Sequence, residues 1–338
     1  MSMDSIAILK ALKERFDLDI KSSKILVVGL GHTGVSVAYY LKKLGFKFAI
    51  TDSRDKPPLK DIFLEALPDT PISTGGFDEA AFEVATHLIV SPGVSLTEKS
   101  IAKAIAIGVK MISDIDLFAC SVDLPIVAIT GSNGKSTVTT MVGEMARASG
   151  KHVAVGGNLG IPALDLLAEN AELFVLELSS FQLERTGALN AVAATVLNVS
   201  ADHLDRHDDV ASYAEVKRRV FNGDGILVIN LDDPLVKDMQ GHNRKIFTFS
   251  IKHKNADFYL DNKEDQQCLM HNKEMLMPLA QLPLEGRHNA ANALAALALG
   301  FAIGLDQTVM CNALKVFKGL DHRMQKVATI RGVTWVND

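Results

Sequence analysis

Apolar runs alternate with helix-like stretches in the first third of the chain. The apolar runs, rich in β-branched residues, lie at 24–28, 46–51, 86–90 and 110–112. The stretches with helical spacing lie at 35–44 and 98–108. Runs of this length bounded by glycine, proline and polar residues predict strands, and strands separated by helices predict β-α-β units. The pattern therefore indicates a first α/β domain over residues 1–113.

The same alternation begins again after residue 124. Apolar runs follow at 125–129, 173–178, 191–197 and 225–230, and helical stretches at 136–149 and 290–305. Strands that alternate with helices favour a parallel sheet covered by helices. Residues 245–277 differ, because they are polar and rich in turns, and they predict a small antiparallel insert. The last residues, 331–338, predict a hairpin.

Composition narrows the class of protein. The chain has 338 residues, 48% of them hydrophobic, and a formal net charge of −5, so it can bury sizeable cores, and its mildly acidic charge argues against a general affinity for nucleic acid. Its three cysteines lie far apart, as in a reduced cytoplasmic protein. No signal peptide is visible, and the apolar stretch at 290–305 is broken by polar residues and glycines, which favours a buried helix over a membrane span.

A glycine loop follows the apolar run at 125–129. Its residues are Thr130, Gly131, Ser132, Asn133, Gly134, Lys135, Ser136 and Thr137. A strand, a glycine loop and a helix together cradle phosphates, with Lys135 placed for the β- and γ-phosphates and Ser136 for Mg²⁺. The general pattern is GxxxxGK[ST], but Ile129 stands at the first glycine, so this loop is shorter. The competing interpretation is a glycine-rich turn with a surface lysine.

Three polar residues follow later apolar runs. Glu177 ends the run at 173–178, where a carboxylate can bind Mg²⁺ beside a phosphate loop or cap a helix. His203 lies among Asp202, Asp205 and Arg206 after the run at 191–197, which makes a functional role as plausible as a structural one. Lys217 adjoins two arginines, and on its own this segment predicts a solvated basic face.

Two further patterns concern nucleotides. Asn289 and Asn292 lie one turn apart on the Ala-rich helix, where asparagine is unfavourable, so they predict a hydrogen-bonding task or a helix cap. Gly29, Gly31 and Gly34 match GxGxxG, and Asp52 ends the next strand, as in a dinucleotide site. Alone, this pattern predicts an NAD-binding oxidoreductase. A nucleotide-bearing substrate could use the same geometry.

These motifs together resemble the Mur ligases of peptidoglycan synthesis, and the resemblance covers nearly the whole chain. The run Glu177, Leu178, Ser179, Ser180, Phe181, Gln182 and Leu183 resembles the branch that adds D-glutamate. The shortened glycine loop is the form that this family uses. The other carriers are Gly29 to Gly34, Ser91, Pro92, Gly93, Asn158, residues 198–206, Lys217, Arg287, His288, Asn289, Asn292, His322 and Arg323.

The resemblance implies roles for individual residues. ATP would be held by Gly131, Ser132, Asn133, Gly134, Lys135, Ser136, Thr137, Asn289, Asn292, Arg323 and Asp338. Two Mg²⁺ ions would be held by Ser136, Glu177, His203 and Lys217, the last of them carbamylated. Lys135, His203 and Lys217 would be catalytic. The UDP-linked substrate would be held by His32, Thr33, Asp52, Ser53, Arg54, Gly93 and Asn158.

The implied fold is α/β, with a Rossmann-like domain at 1–113 and a P-loop ATPase-type domain at 114–319. The implied reaction is ATP-dependent addition of D-glutamate to UDP-N-acetylmuramoyl-L-alanine through an acyl phosphate. We expect a cytoplasmic monomer that binds these small molecules, with no membrane or nucleic-acid partner. Because such ligases have a third domain after the hinge, residues 320–338 predict only its first hairpin and weak activity at most.

Alternative functions remain open at this stage. Another Mur or folylpolyglutamate-type ligase would share the phosphate loop but bind a different substrate. An NAD-binding oxidoreductase would use Gly29, Gly31 and Gly34 for its cofactor. A non-catalytic nucleotide-binding regulator would keep the loop without the chemistry.

Overall fold

The computed structural model describes residues 4–187, 189–201, 209–241, 243–320, 325–330 and 333–337. The helices are α1 Ser5–Phe16, α2 His32–Lys43, α3 Lys60–Ala66, α4 Glu79–Val84, α5 Lys99–Ala106, α6 Asp114–Ala119, α7 Lys135–Ala148, α8 Ser180–Leu183, α9 Val210–Arg218, α10 Pro234–Lys237, α11 Arg287–Ala302 and α12 Gln307–Lys315. Among these described helices, none combines the length and apolar character that crossing a membrane requires.

The strands form three sheets. They are β1 Ile25–Val28, β2 Phe48–Asp52, β3 Ile72–Thr74, β4 His87–Val90, β5 Lys110–Ile112, β6 Ile126–Thr130, β7 Val153–Gly157, β8 Leu173–Glu177, β9 Ala193–Val196, β10 Ile226–Asn230, β11 Ile246–Ser250, β12 Phe258–Lys263, β13 Gln266–His271, β14 Glu274–Pro278, β15 Gln325–Ile330 and β16 Val333–Asn337. The chain divides into two compact units. The first comprises Met1–Asp123, Gly160–Asn170 and Ser180–Leu189, and the second comprises the rest.

The first unit contains a five-stranded parallel sheet in the order β3-β2-β1-β4-β5. The central strands β1 and β4 are buried at every position, which explains why they are continuous apolar runs rather than alternating ones. The strand order reverses beside β1, and ligands of doubly wound sheets gather outside the carboxyl ends at such a point. The predicted Rossmann-like arrangement is confirmed.

The second unit contains a nine-stranded sheet in the order β14-β13-β12-β11-β10-β9-β6-β8-β7. Strands β6 to β12 pair in parallel, and β12, β13 and β14 pair antiparallel. The core lies between this sheet and the helices α7, α11 and α12. Helix α11 is buried along most of its length, so the stretch at 290–305 is a core helix, as its polar interruptions predicted.

The segment at 245–277 is only partly as predicted. Its later strands β12, β13 and β14 are antiparallel, but β11 pairs in parallel with β10 and β12. The segment is thus an extension of the main sheet rather than a separate insert. At the end of the chain, β15 and β16 pair antiparallel as a hairpin, but its first strand lies at 325–330, before the predicted segment 331–338.

Candidate active site

The phosphate loop lies where three neighbouring strands of the second unit end. It follows β6 directly, and it enters α7 through Gly134, whose φ is +83°. In the sheet order β9-β6-β8, the ends of β9 and β8 flank the loop. The first N–H groups of a helix have no acceptor within it, so the start of α7 offers donors and a favourable field to an anion. The alternative of a glycine turn with a surface lysine does not account for this placement.

Lys135 is folded onto its own loop. Its Nζ donates to the carbonyl oxygens of Gly131 and Ser132, both at 2.9 Å. Gly131 therefore anchors the lysine at the mouth of the loop. The Lys135 ammonium group already lies along the loop. A short movement of this flexible side chain would therefore bring its charge to a phosphate bound there.

Lys217 is buried, which corrects the expectation of a solvated basic face. Only 1% of this residue is exposed, and its Nζ donates to the carbonyl oxygen of Gly131 at 2.8 Å. The Nζ also lies 4.4 Å from the centre of the Tyr213 ring. Its neighbour Arg218 faces solvent beside Glu215. A single position of the basic run is thus buried, together with Tyr213 and Ala214 of the same helix.

Glu177 is the last residue of β8 and is 2% exposed. In the sheet it pairs with Ile129 on one side and Gly157 on the other. A β-carbon at Gly157, which has φ +98°, would lie 2.4 Å from the Glu177 carbonyl oxygen. The close approach therefore requires glycine at the end of β7.

The Glu177 carboxylate is held through one oxygen only. Oε1 accepts a hydrogen bond from Asn158 Nδ2 at 2.6 Å, and the Asn158 backbone N–H donates to the Glu177 carbonyl at 2.8 Å. Among the described residues, Oε2 has no hydrogen-bond partner although it is buried. A buried anionic oxygen without a donor fits a cation ligand. Asn158, which the resemblance assigns to the UDP-linked substrate, here orients this carboxylate.

The two asparagines of α11 differ in their surroundings. Asn289 is half-buried, and its Nδ2 donates to the Glu285 carbonyl at 2.8 Å, just before the start of the helix. Asn292 is buried and donates to Asn289 Oδ1 at 3.2 Å. Its own Oδ1 lies so near Gly134 that a β-carbon there would approach to 2.4 Å. The structure thus brings Asn292 to the phosphate loop, and adenine binding by the pair stays a prediction.

Several predicted residues lie outside the described part of the chain. They are Asp202, His203, Asp205, Arg206, His322, Arg323 and Asp338. Within the described residues, no three His, Cys, Asp or Glu side chains form a group that could hold a metal ion. The described candidates for cation binding are therefore Glu177 with its unpartnered Oε2 and the Ser136 hydroxyl, which stands in the first turn of α7.

In the first unit, the GxGxxG segment joins β1 to α2. Gly29 has φ +97°, and a β-carbon at Gly34 would lie 1.9 Å from the Gly29 carbonyl oxygen, so both glycines are needed for the tight turn. Ser91 Oγ donates to that same carbonyl at 3.0 Å and joins the turn to the end of β4. His32 and Thr33 begin α2. His32 and Gly93 are exposed.

Asp52 ends β2 with both carboxylate oxygens occupied. Oδ2 accepts from the Leu30 N–H and from Arg54 Nη2, both at 2.7 Å, and Oδ1 accepts from the backbone N–H and Nε of Arg54 at 2.9 Å. Burial acts to raise the pKa of the Asp52 carboxyl, but these hydrogen bonds and the Arg54 charge hold it below its ordinary value. A carboxylate used in this way is poorly placed to accept from the ribose of NAD. It instead fixes Arg54 at the end of the strand.

Sequence reasoning missed one feature of this site. Asn198 follows β9 and bonds to both backbone groups of Asn133 in the phosphate loop. The sequence alone assigns this residue no separate role within 198–206. A polar residue directly after a central parallel strand, beside a strand that enters a phosphate loop, was the available signal.

Comparison with known proteins agrees with this arrangement. Residues 129–300 match the Mur ligase middle domain, and residues 23–113 match the Mur ligase MurD-like N-terminal domain. The UDP-N-acetylmuramoylalanine–D-glutamate ligase of Methylococcus capsulatus is 51% identical over 96% of this chain and 71% of its own length. The ligase of the same name from Pseudomonas aeruginosa is 47% identical over 93% of this chain and 70% of its own length.

Solved structures show the same fold. A UDP-N-acetylmuramate:L-alanyl-gamma-D-glutamyl-meso-diaminopimelate ligase from Neisseria meningitides matches with a TM-score of 0.61 at 20% identity, over 88% of this chain and 99% of that one. The UDP-N-acetylmuramate-alanine ligase MurC from Thermotoga maritima matches with a TM-score of 0.58 at 20% identity, over 94% of this chain and 74% of that one. The comparisons give no support to an NAD-dependent oxidoreductase. The chain belongs to the Mur ligase family of ATP-dependent ligases.

Proposed function

We propose that the protein adds D-glutamate to UDP-N-acetylmuramoyl-L-alanine, with ATP bound at residues 131–137 and the UDP-linked substrate bound at the GxGxxG turn. One observation supports the proposed phosphoryl transfer. The buried carboxylate of Glu177, with one oxygen unpartnered among the described residues, ends the strand beside the phosphate loop. A cation ligand beside a phosphate cradle is what phosphoryl transfer needs. The relatives named above supply the identity of the acceptor and the amino acid.

The chemistry begins with a poor electrophile. A carboxylate resists attack by an amine because oxide is a poor leaving group. Its oxygen attacks the γ-phosphorus of ATP, the bond to the leaving ADP breaks, and an acyl phosphate forms. The ammonium group of D-glutamate first loses a proton to solvent, and the free amine then attacks the acyl carbon. The bond to phosphate breaks, phosphate leaves, and the nitrogen loses a second proton to give the amide.

The described residues have separate tasks in this reaction. The loop amides and Lys135 orient the phosphates and neutralise the charge that develops on them. Ser136 and Glu177 fit one Mg²⁺, which would supply further charge neutralisation when bound. His203 and a carbamylated Lys217 are proposed for a second ion. In the structure, Lys217 already points at the loop through Gly131.

The UDP-linked substrate is assigned to the first unit. His32, Thr33, Ser53, Arg54 and Gly93 surround the carboxyl ends of β1, β2 and β4. Asp52 supports this surface by holding the Arg54 guanidinium in place. We also propose that the protein acts as a cytoplasmic monomer on small molecules, which light scattering after gel filtration would check.

Isothermal titration tests the proposal. We expect UDP-N-acetylmuramoyl-L-alanine to bind more tightly than UDP-muramoyl peptides that already carry D-glutamate, and NADH not to bind. We expect Lys135→Ala to abolish ATP binding, and Glu177→Gln to remove most of its Mg²⁺ dependence, with UDP-substrate binding unchanged in both variants. Tight NADH binding would contradict the assignment of the first unit. Unchanged ATP affinity in Lys135→Ala would contradict the assignment of the loop.

A further inference from the structure

The first half of the phosphate loop has fewer residues than the general phosphate-loop pattern. The general pattern has a glycine where this chain has Ile129, and Ile129 is a fully buried position inside β6. Only Gly131, Ser132 and Asn133 separate the end of β6 from the Gly134 that enters α7. A loop this short has few groups with which to fix its own shape. The shape must therefore come from contacts outside the loop.

Asn198 supplies those contacts. Its Oδ1 accepts from the backbone N–H of Asn133 at 2.8 Å, and its Nδ2 donates to the carbonyl of the same residue at 3.0 Å. Its own carbonyl accepts from the N–H of Ser132 at 2.9 Å. The side-chain amide thus pairs with Asn133 as a neighbouring strand would. Asparagine fits this task because it offers an acceptor and a donor in one plane.

A second link ties the same loop to the same segment. Ser132 Oγ accepts from the N–H of Ser200 at 3.0 Å and lies 3.3 Å from the Ser200 carbonyl oxygen. Two consecutive loop residues are therefore bonded to 198–200. Their N–H groups point to this segment and not to a ligand. The N–H groups at the start of α7, from Gly134 onward, then face a phosphate.

The segment that holds the loop is itself fixed on both sides of Asn198. The Leu197 N–H donates to Thr130 at 2.9 Å, and the Leu197 carbonyl accepts from Asn230 Nδ2 at 2.8 Å. The Val199 N–H donates to Asp233 Oδ2 at 2.7 Å. Asn198 therefore projects from a backbone that cannot easily shift. This is the rigid support that a positioning side chain requires.

We propose that Asn198 is a positioning residue for ATP: it stands in for the missing part of the phosphate loop by holding Asn133, and it thereby sets the path on which the loop enters α7. The inference rests on the proposed ATP site. Asn198 does not touch the phosphates in this role. It sets the direction in which the following N–H groups point, so its loss weakens phosphate binding through the loop.

The test compares Asn198→Leu with Thr195→Val. Leucine keeps the branched shape of asparagine, with the same number of side-chain heavy atoms, but can form neither bond to Asn133. Thr195 lies in the preceding strand β9, and its Oγ1 donates to the Val228 carbonyl at 2.8 Å, so valine removes one buried hydrogen bond of the same unit without touching the loop. ATP affinity, UDP-substrate affinity and the amide exchange of residues 131–137 are measured in the full chain for both variants and for Lys135→Ala.

We expect Asn198→Leu to raise the Kd for ATP roughly tenfold, the effect of losing two hydrogen bonds that order the loop. Thr195→Val should stay within about twofold of the wild type for ATP. In the protein without ligand, exchange of the Asn133 amide should accelerate only in Asn198→Leu. Unchanged ATP affinity in Asn198→Leu, or an equal loss in Thr195→Val, would overturn the inference.

The outcomes separate the two proposals. If Lys135→Ala binds ATP normally, the assignment of the loop fails whatever Asn198→Leu does. If Lys135→Ala loses ATP and Asn198→Leu does not, only the positioning role fails. Amide exchange at Asn133 needs no ligand, so it decides whether Asn198 orders the loop in either case.

Discussion

Gly134 is a position where two separate constraints exclude a side chain. Its φ of +83° is a left-handed conformation, which costs about 1–2 kcal/mol for a residue with a β-carbon. A β-carbon would also lie 2.4 Å from Asn292 Oδ1. The overlap depends on the Asn292 side chain, whereas the strain from the positive φ does not. The two can therefore be separated by substitution.

We expect Gly134→Ala to lower the free energy of unfolding by about 2 kcal/mol or more, because strain and overlap add. Adding Asn292→Ala should recover the part due to overlap and leave the part due to φ. Urea unfolding of the two single variants and the double variant gives the coupling between them. If the effects simply add, Asn292 does not press on this position and the proposed contact is wrong.

At the scale of elements, helix α6 begins with a buried carboxylate. Asp114 is 4% exposed, and Gln182 Nε2 in α8 donates to its Oδ2 at 3.3 Å. Burial raises the pKa of the Asp114 carboxyl to about 6, although the hydrogen bonds from Gln182 and from the backbone of the helix start act to lower it. Asp116, two residues further along α6, accepts hydrogen bonds from the backbone N–H and the hydroxyl of Ser113 and from the Gly187 N–H.

The raised pKa of Asp114 predicts a pH dependence of stability. Between its ordinary pKa of 3.8 and its folded pKa of about 6, the folded state binds more protons than the unfolded state. Stability from this group is therefore complete below the lower value and is lost as pH rises through the higher one. Asp114→Asn, which stays neutral, should be more stable than the wild type at pH 7, by up to about 3 kcal/mol.

Urea unfolding of wild type and Asp114→Asn at several pH values between about 4 and about 7 checks this prediction, since other carboxyl groups titrate alike in both proteins. The stability difference should grow as pH rises. A difference that stays constant across this range would show that Asp114 titrates with an ordinary pKa when folded. The control variant Asp209→Asn, at the exposed N-cap of α9, should not show such growth toward neutral pH, because the Ser212 hydrogen bonds lower the pKa of Asp209.

Some elements could be predicted from the sequence, and some features of their packing and pairing could not. Strands such as β1 and β6 were predictable because burial on both faces makes them continuous apolar runs. The inward turn of Lys217 was not, since only the packing of α9 decides which residue of a basic run is covered. The parallel pairing of β11 could not be predicted either, because the direction of pairing depends on the path of the chain rather than on composition.

At the scale of the whole molecule, two α/β units each present strand ends of the kind that bind nucleotides. Sequence alone offered two nucleotide motifs and left open whether the first bound a cofactor or a substrate. The structure weighs against a cofactor, because the Asp52 carboxylate is used by Leu30 and Arg54. The relatives then supply the alternative of a UDP-linked substrate. The remaining question is which nucleotide binds which unit.

Amide exchange with one nucleotide at a time answers it. We expect UDP-N-acetylmuramoyl-L-alanine alone to slow exchange at residues 29–34 and 52–54, and ATP with Mg²⁺ alone to slow exchange at 131–137, because a bound ligand stabilises the backbone that holds it. At a ligand concentration about 100 times Kd, the added stability is about 2.7 kcal/mol, enough to be measured peptide by peptide. Lys135→Ala should lose only the second effect. Protection of 29–34 by ATP, or of 131–137 by the UDP compound, would reverse the assignment, and protection of 29–34 by NADH would revive the oxidoreductase.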